Sequence, residues 1–104
     1  MLIDRLDHLV LTVGSIDESV AFYERLGFEH VVEDGRHALR FGRSKINLHE
    51  HGHSFQPAAA HPTPGSADLC FVVNTDPKAM RTAIVTADIP IEVGPSCAPA
   101  RSGR

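Results

Sequence analysis

LDHLVLTVGSIDESVAFYERLGF, residues 6–28, sets out a strand, a cap and a helix in that order. Leu9, Val10, Leu11 and Val13, with Thr12 among them, have the composition of a buried strand. Ser15 followed three residues later by Glu18 is a capping box, in which each side chain satisfies a backbone donor that a helix start leaves open. Ile16, Val20, Tyr23 and Leu26 then recur at helical spacing, which predicts a helix over 16–26 with those four on one face. Gly27 stands where a left-handed residue ends such a helix, and the apolar stripe is most simply core.

Downstream, residues 28–33 and 36–42 flank Asp34-Gly35, the dipeptide that suits a two-residue type I′ hairpin because both central positions need positive φ. Residues 45–51 give a fourth strand. Its period of two puts Ile46 and Leu48 on one face and Asn47, His49 and His51 on the other, so one face is apolar and one can coordinate. Residues 1–51 therefore read as a complete βαβββ module. Residues 52–66, with Pro57, Pro62 and Pro64 and no apolar period, read as a linker.

A second module begins at 67 and extends to 104. Residues 67–73 are expected to form a strand, Asp76-Pro77 supplies an N-cap and an N1 proline, and Met80, Ala83, Ile84 and Ala87 share one face of the helix that follows. A short strand is expected over 89–93. An offset of 60 takes His8 to Asp68, Val13 to Val73 and Ser15 to Thr75, which keeps strand and cap in register. The same offset takes the third strand to 96–102, where Pro99 rules out a central strand, and takes Asn47 and His49 to 107 and 109. The second module is expected to be incomplete, an irregular tail following the short strand.

With 104 residues, the chain has room for one small structural domain built of two half-domains that share a core. Apolar residues at 42% and charged residues at 22% are ordinary for a globular protein and argue against disorder. A net charge of −3 supplies no basic stripe for a phosphate backbone, so nucleic acid is excluded as a partner and a small molecule is expected. Residues 1–5 lack a basic n-region and no apolar run is long enough for a bilayer, which predicts a cytoplasmic protein with no membrane partner. Cys70 and Cys97 form neither a CxxC motif nor a disulfide framework and are read as reduced thiols.

In combination, LDHLVLTV, the S-I-x-x-S-V-x-F-Y-x-x-L-G-F pattern, ALRFGRSKINLHE (38–50), AHPTPGSADL (60–69) and IPIEVGP (89–95) resemble the vicinal oxygen chelate superfamily. That group includes glyoxalase I, bleomycin and fosfomycin resistance proteins and extradiol dioxygenases; the chain is most similar to its glyoxalase-domain subgroup containing bacterial virulence-associated proteins. The resemblance covers residues 2–95 and implies an α+β fold in which paired βαβββ modules form an open, barrel-like mixed sheet with helices outside. It further implies a divalent metal ion, Zn, Mn, Fe or Ni, on the inner face. Such a metal binds adjacent oxygens of a substrate as a Lewis acid.

The same resemblance places metal ligands on the first and last strands of each module. His8 matches the first, and strand parity puts it with Val10 and Thr12, away from the helix. Asn47 matches the last-strand position by its Lys-Ile-x-Leu context, with His49 two residues on along the same face. Asp68 stands where many relatives have a histidine. A closing glutamate expected near the family's C-terminus has no counterpart, since the sequence departs from the pattern after Pro95. The expected ligand set is thus His8, His49 and Asp68, with Asn47 as the alternative, and Glu50 is a candidate general base that parity turns to the other face.

Each reading has a plainer rival. A histidine at a strand start is ordinarily satisfied by neighbouring polar groups, and Asp68 as a strand's first residue needs no function. The histidines of 49–53 with His61 lack the four-ligand spacing of a structural zinc site and read as a solvated strand end. Arg36, His37 and Arg40 receive no role, because edge strands carry charge to block pairing. Two functions compete: a metal-dependent lyase, isomerase or dioxygenase, and a non-catalytic binding protein of the resistance type that uses no metal. A homodimer is expected, since a module without its last strands leaves an open sheet edge and an uncovered apolar face.

Overall fold

The structure is a computed structural model that describes residues 2–53 and 58–92. By internal contacts the chain divides into two compact units, Met1–Ala67 and Asp68–Arg104. The first unit holds β1 (His8–Val13), α1 (Ile16–Arg25), β2 (Glu29–Glu33), β3 (Arg36–Phe41) and β4 (Ser44–Glu50). The second holds α2 (Pro77–Thr86). Among the described residues no helix is long and apolar enough to cross a membrane.

The strands form one mixed sheet in the order β1-β4-β3-β2, which is not closed. β1 and β4 run parallel; α1 carries the chain from β1 across to β2 at the opposite edge, and β2-β3 and β3-β4 are antiparallel hairpins that bring it back. The first hairpin turns as expected, with Asp34 at φ 52 and Gly35 at φ 73, the left-handed pair a type I′ turn requires. A second tight turn, Gly42-Arg43, closes on the pair Phe41 and Ser44 and fixes the β3-β4 register.

Ser15 caps α1, its hydroxyl oxygen accepting from the Glu18 N–H at 3.2 Å, and Gly27 follows the helix at φ 93. The stripe read from sequence is the packed face: Val20 is buried, and Ile16, Tyr23 and Leu26 are half-buried. It covers Leu39, Ile46 and Leu48, each at most 1% exposed. Full burial of such side chains contributes roughly 1.5–3 kcal/mol apiece. Tyr23, Phe28 and Phe41 continue this layer in edge-to-face and tilted contacts with centroids 4.9–5.1 Å apart, and burial raises the Tyr23 pKa.

In the second unit, α2 starts as expected, Asp76 Oδ1 accepting from the Ala79 N–H at 2.9 Å with Pro77 in the first turn. Met80, Ile84 and Ala87 are half-buried, but Ala83 is exposed. Two expectations fail. Residues 67–73 are not a strand, and neither are the described residues of 89–93; Val93 and the tail that follows lie outside the described residues. Strand composition alone does not make a strand, because its backbone groups need a neighbour to pair with, and no strand pairs with either segment among the described residues.

Candidate functional site on the open face of the sheet

α1 covers one face of the first unit's sheet; the other face is open and carries a cleft of about 900 Å³. Cross-strand register decides what lines it. His8 pairs with Lys45, Val10 with Asn47 and Thr12 with His49, so those six side chains share the open face. Across β3, Lys45 pairs with Arg40 and Asn47 with Ala38; across β2, Arg40 pairs with Glu29. His37 turns to the covered face, where its Nδ1 lies 2.9 Å from His30 Nε2. The rings are nearly coplanar with centroids 5.1 Å apart, so they meet edge to edge through that hydrogen bond rather than face to face.

His8 is held at the first residue of β1. The parallel ladder runs on past it, the Lys45 N–H donating to Asp7 O at 3.0 Å and the Ser44 hydroxyl to Leu6 O at 2.8 Å. His8 Nδ1 sits 2.9 Å from Asp7 Oδ2. An ionised carboxylate only accepts, so the proton of this bond is on Nδ1, and in the neutral ring it is Nε2 that carries the lone pair. A carboxylate behind a histidine in this way fixes the ring and its tautomer, which is how metal-binding histidines are commonly oriented. The bond from His8 holds the Asp7 carboxyl below its ordinary pKa, helped by the nearby charges of His8, Arg5 and Lys45.

The register separates the expected ligands unequally. His8 and Asn47 are diagonal neighbours on adjacent strands, about 8 Å apart at the backbone. His8 and His49 are four residues apart along the sheet, about 13 Å, and side chains that stand perpendicular to a sheet do not meet over that distance. His49 instead lies beside Thr12 at the far end of the face, both buried, at 7% and 5% exposure. Asp68 belongs to the second unit, where it is exposed and outside any strand. Among the described residues no three His, Cys, Asp or Glu side chains converge closely enough to hold a metal ion.

Glu50 has a structural task. Its Oε1 accepts from the Ile16 N–H at 3.3 Å, placing a carboxylate against the positive end of α1 on the covered side. The sequence reading assigned nothing to Asp7 or Lys45 and left Arg40 without a role, yet all three border the His8 end of the cleft. The signal was present in part: strand parity puts Lys45 with Asn47, but only the Gly42-Arg43 turn brings Arg40 opposite Lys45.

Comparison with known proteins agrees with this architecture. Virulence protein STM3117 of Salmonella typhimurium is 50% identical over 97 residues, covering 91% of this chain and 67% of that protein. Its crystal structure superposes with a TM-score of 0.86, covering 92% of this chain and 78% of that one. The integron cassette protein VCH_CASS1 from the mobile metagenome of V. cholerae is 44% identical with a TM-score of 0.85, covering 92% of this chain and 77% of the other. Glyoxalase domain-containing protein RDO1 of Mycosarcoma maydis is 53% identical over 70 residues, 66% of this chain but 40% of that protein. The family model for the Glyoxalase/Bleomycin resistance protein/Dioxygenase superfamily matches residues 5–96, and the chain belongs to that superfamily.

Proposed function

We propose that this chain works in the cytosol as a divalent-metal-dependent member of its superfamily, binding adjacent oxygens of a small metabolite at the His8 end of the open face. The observation that carries this reading is the Asp7–His8 pair: a carboxylate fixes Nδ1 at 2.9 Å and leaves Nε2 directed away from it, diagonal to the Asn47 amide. One imidazole nitrogen and one amide oxygen suit a borderline ion such as Zn or Ni and supply half of a four-ligand set. A metal held there would polarise the chelated oxygens as a Lewis acid. The chain's own residues orient: Asp7 holds the ring, and His8 and Asn47 fix where substrate oxygens lie.

Metal analysis of untagged protein tests this. Wild type should carry a divalent ion at a stoichiometry near one, and His8→Ala should lose it. Wild type purified without stoichiometric metal, and failing to take it up from solution, overturns the reading.

One observation favours the rival, a metal-free binding protein. Lys45 stands directly beside His8 on the same face, and an ammonium repels a divalent cation. Under that reading the same cleft holds a ligand without chelating it, and His8→Ala leaves metal content unchanged at zero.

A further inference from the structure

Four strands place one residue each in a single row across the open face: His8 on β1, Lys45 on β4, Arg40 on β3 and Glu29 on β2. Arg40 and Lys45 are directly opposite in an antiparallel pair, next to the closing pair of a two-residue turn, where backbones stand about 4.5–5.5 Å apart. Like charges so placed destabilise a sheet. Nothing within the row removes the repulsion. Glu29 reaches Arg40 only at 3.7 Å, with both side chains more than 60% exposed, a geometry that contributes little in water. Asp7 is taken up by His8 at 2.9 Å and by Arg5 at 3.8 Å. Lys45 makes no side-chain hydrogen bond or ion pair among the described residues.

At this end of the cleft the lining residues Arg40, Arg43 and Lys45 stand with one lining carboxylate, Asp7, and with Glu29 beside Arg40, although the whole chain carries a net charge of −3. A local excess of cations on an acidic protein, gathered at one end of a cleft, raises the local concentration of anions. The guanidinium fork and the ammonium offer complementary donors, one planar and one a point charge, to a group with several oxygens.

We propose that Lys45 and Arg40 form an oxyanion subsite beside His8, which takes the phosphate, phosphonate or carboxylate group of a small metabolite. The subsite rests on the reading of the open face as the ligand-binding face and names the class of ligand: a compound with an oxyanion group one strand away from the atoms that meet His8. The anion replaces the Arg40–Lys45 repulsion with two charge-assisted contacts. His8, between Asp7 and Lys45, marks where the rest of the ligand lies.

The test uses inorganic phosphate titrated into the full chain after metal removal with EDTA, followed by amide chemical shifts. Saturable shifts at β3 and β4, centred on Arg40 and Lys45, are expected with an affinity on the order of 1 mM. Lys45→Gln and Arg40→Gln should each weaken binding about tenfold. Arg81→Gln, on α2, serves as the charge-matched control and should leave it unchanged. Spectra of each variant verify the fold. Equal shifts in all variants, or no saturable binding in wild type, overturn the proposal. Because phosphate is read in metal-free protein, its failure is separate from failure of the metal reading, which the metal content of wild type and His8→Ala decides.

Discussion

The segments 9–13 and 69–73, Leu-Val-Leu-Thr-Val and Leu-Cys-Phe-Val-Val, occupy equivalent positions in the repeat and are both rich in strand-forming residues, yet only one is a strand. In the first unit Leu9, Leu11 and Val13 are half-buried, because β4 pairs alongside and α1 folds back over the sheet. In the second, Val72 is 96% exposed and Val73 46%, and no strand runs beside them among the described residues. A buried strand is thus a property of a pair of segments, and composition supplies only half of it. The chemistry diverges at the same place, since an offset of 60 replaces Asp7 by Ala67 and His8 by Asp68.

Leu39 and Val72 give the sharpest contrast. Leu39→Ala removes a fully buried side chain from the centre of the first unit and should cost about 2–5 kcal/mol, whereas Val72→Ala should stay within about 0.5 kcal/mol. Urea unfolding of both variants measures this, and a cost above about 1 kcal/mol for Val72→Ala would break the contrast.

Between the two helix starts a smaller difference is expected. α1 is capped by its own Ser15 and also by Glu50, contributed by a strand 34 residues away, whereas α2 relies on its own Asp76 and Pro77. Glu50→Gln should cost roughly 0.5–1 kcal/mol and loosen β4 together with α1, while Asp76→Ala, of similar cost, should loosen α2 alone. Amide exchange resolves the two patterns. Loss of protection confined to α1 in Glu50→Gln would show that this contact does not tie helix to sheet.

The smallest effect is electrostatic. The Asp7 pKa is lowered in the folded chain from its ordinary 3.8, so its contribution to stability is present above that value and fades as pH falls through the lower folded one. His8→Ala removes the largest cause of the shift and should return the Asp7 titration towards 3.8, read from its carboxyl carbon by NMR. An unchanged titration would show that Arg5 and Lys45, rather than His8, hold the carboxylate.

Much of the first unit was legible residue by residue because its signals are local. Asp34-Gly35 needs only its own backbone to declare a turn, Ser15 needs only the next turn of chain to cap a helix, and Ile46 and Leu48 alternate with Asn47 whatever lies alongside. The site was legible only as a set of faces. Parity put His8, Asn47 and His49 on the open side and Glu50 on the other, as the structure has them. It did not give their distances, since those depend on how β1 slides against β4, and nothing local records a parallel register. His8 and His49, expected as partners, end four residues apart along the sheet, while Lys45 and Arg40 meet because a turn at Gly42 aligned them.

By itself the sequence determined the elements of the first module, their order, the face each residue takes and the family to which the pattern belongs, because helix caps, turns and side-chain alternation are set within a few residues of chain. Tertiary structure decided which strand composition becomes a strand, which histidine can share a ligand with Asn47 and which charges stand opposed. Those outcomes are fixed by pairing between segments far apart in the chain, where the deciding quantity is register and no short stretch of sequence contains it.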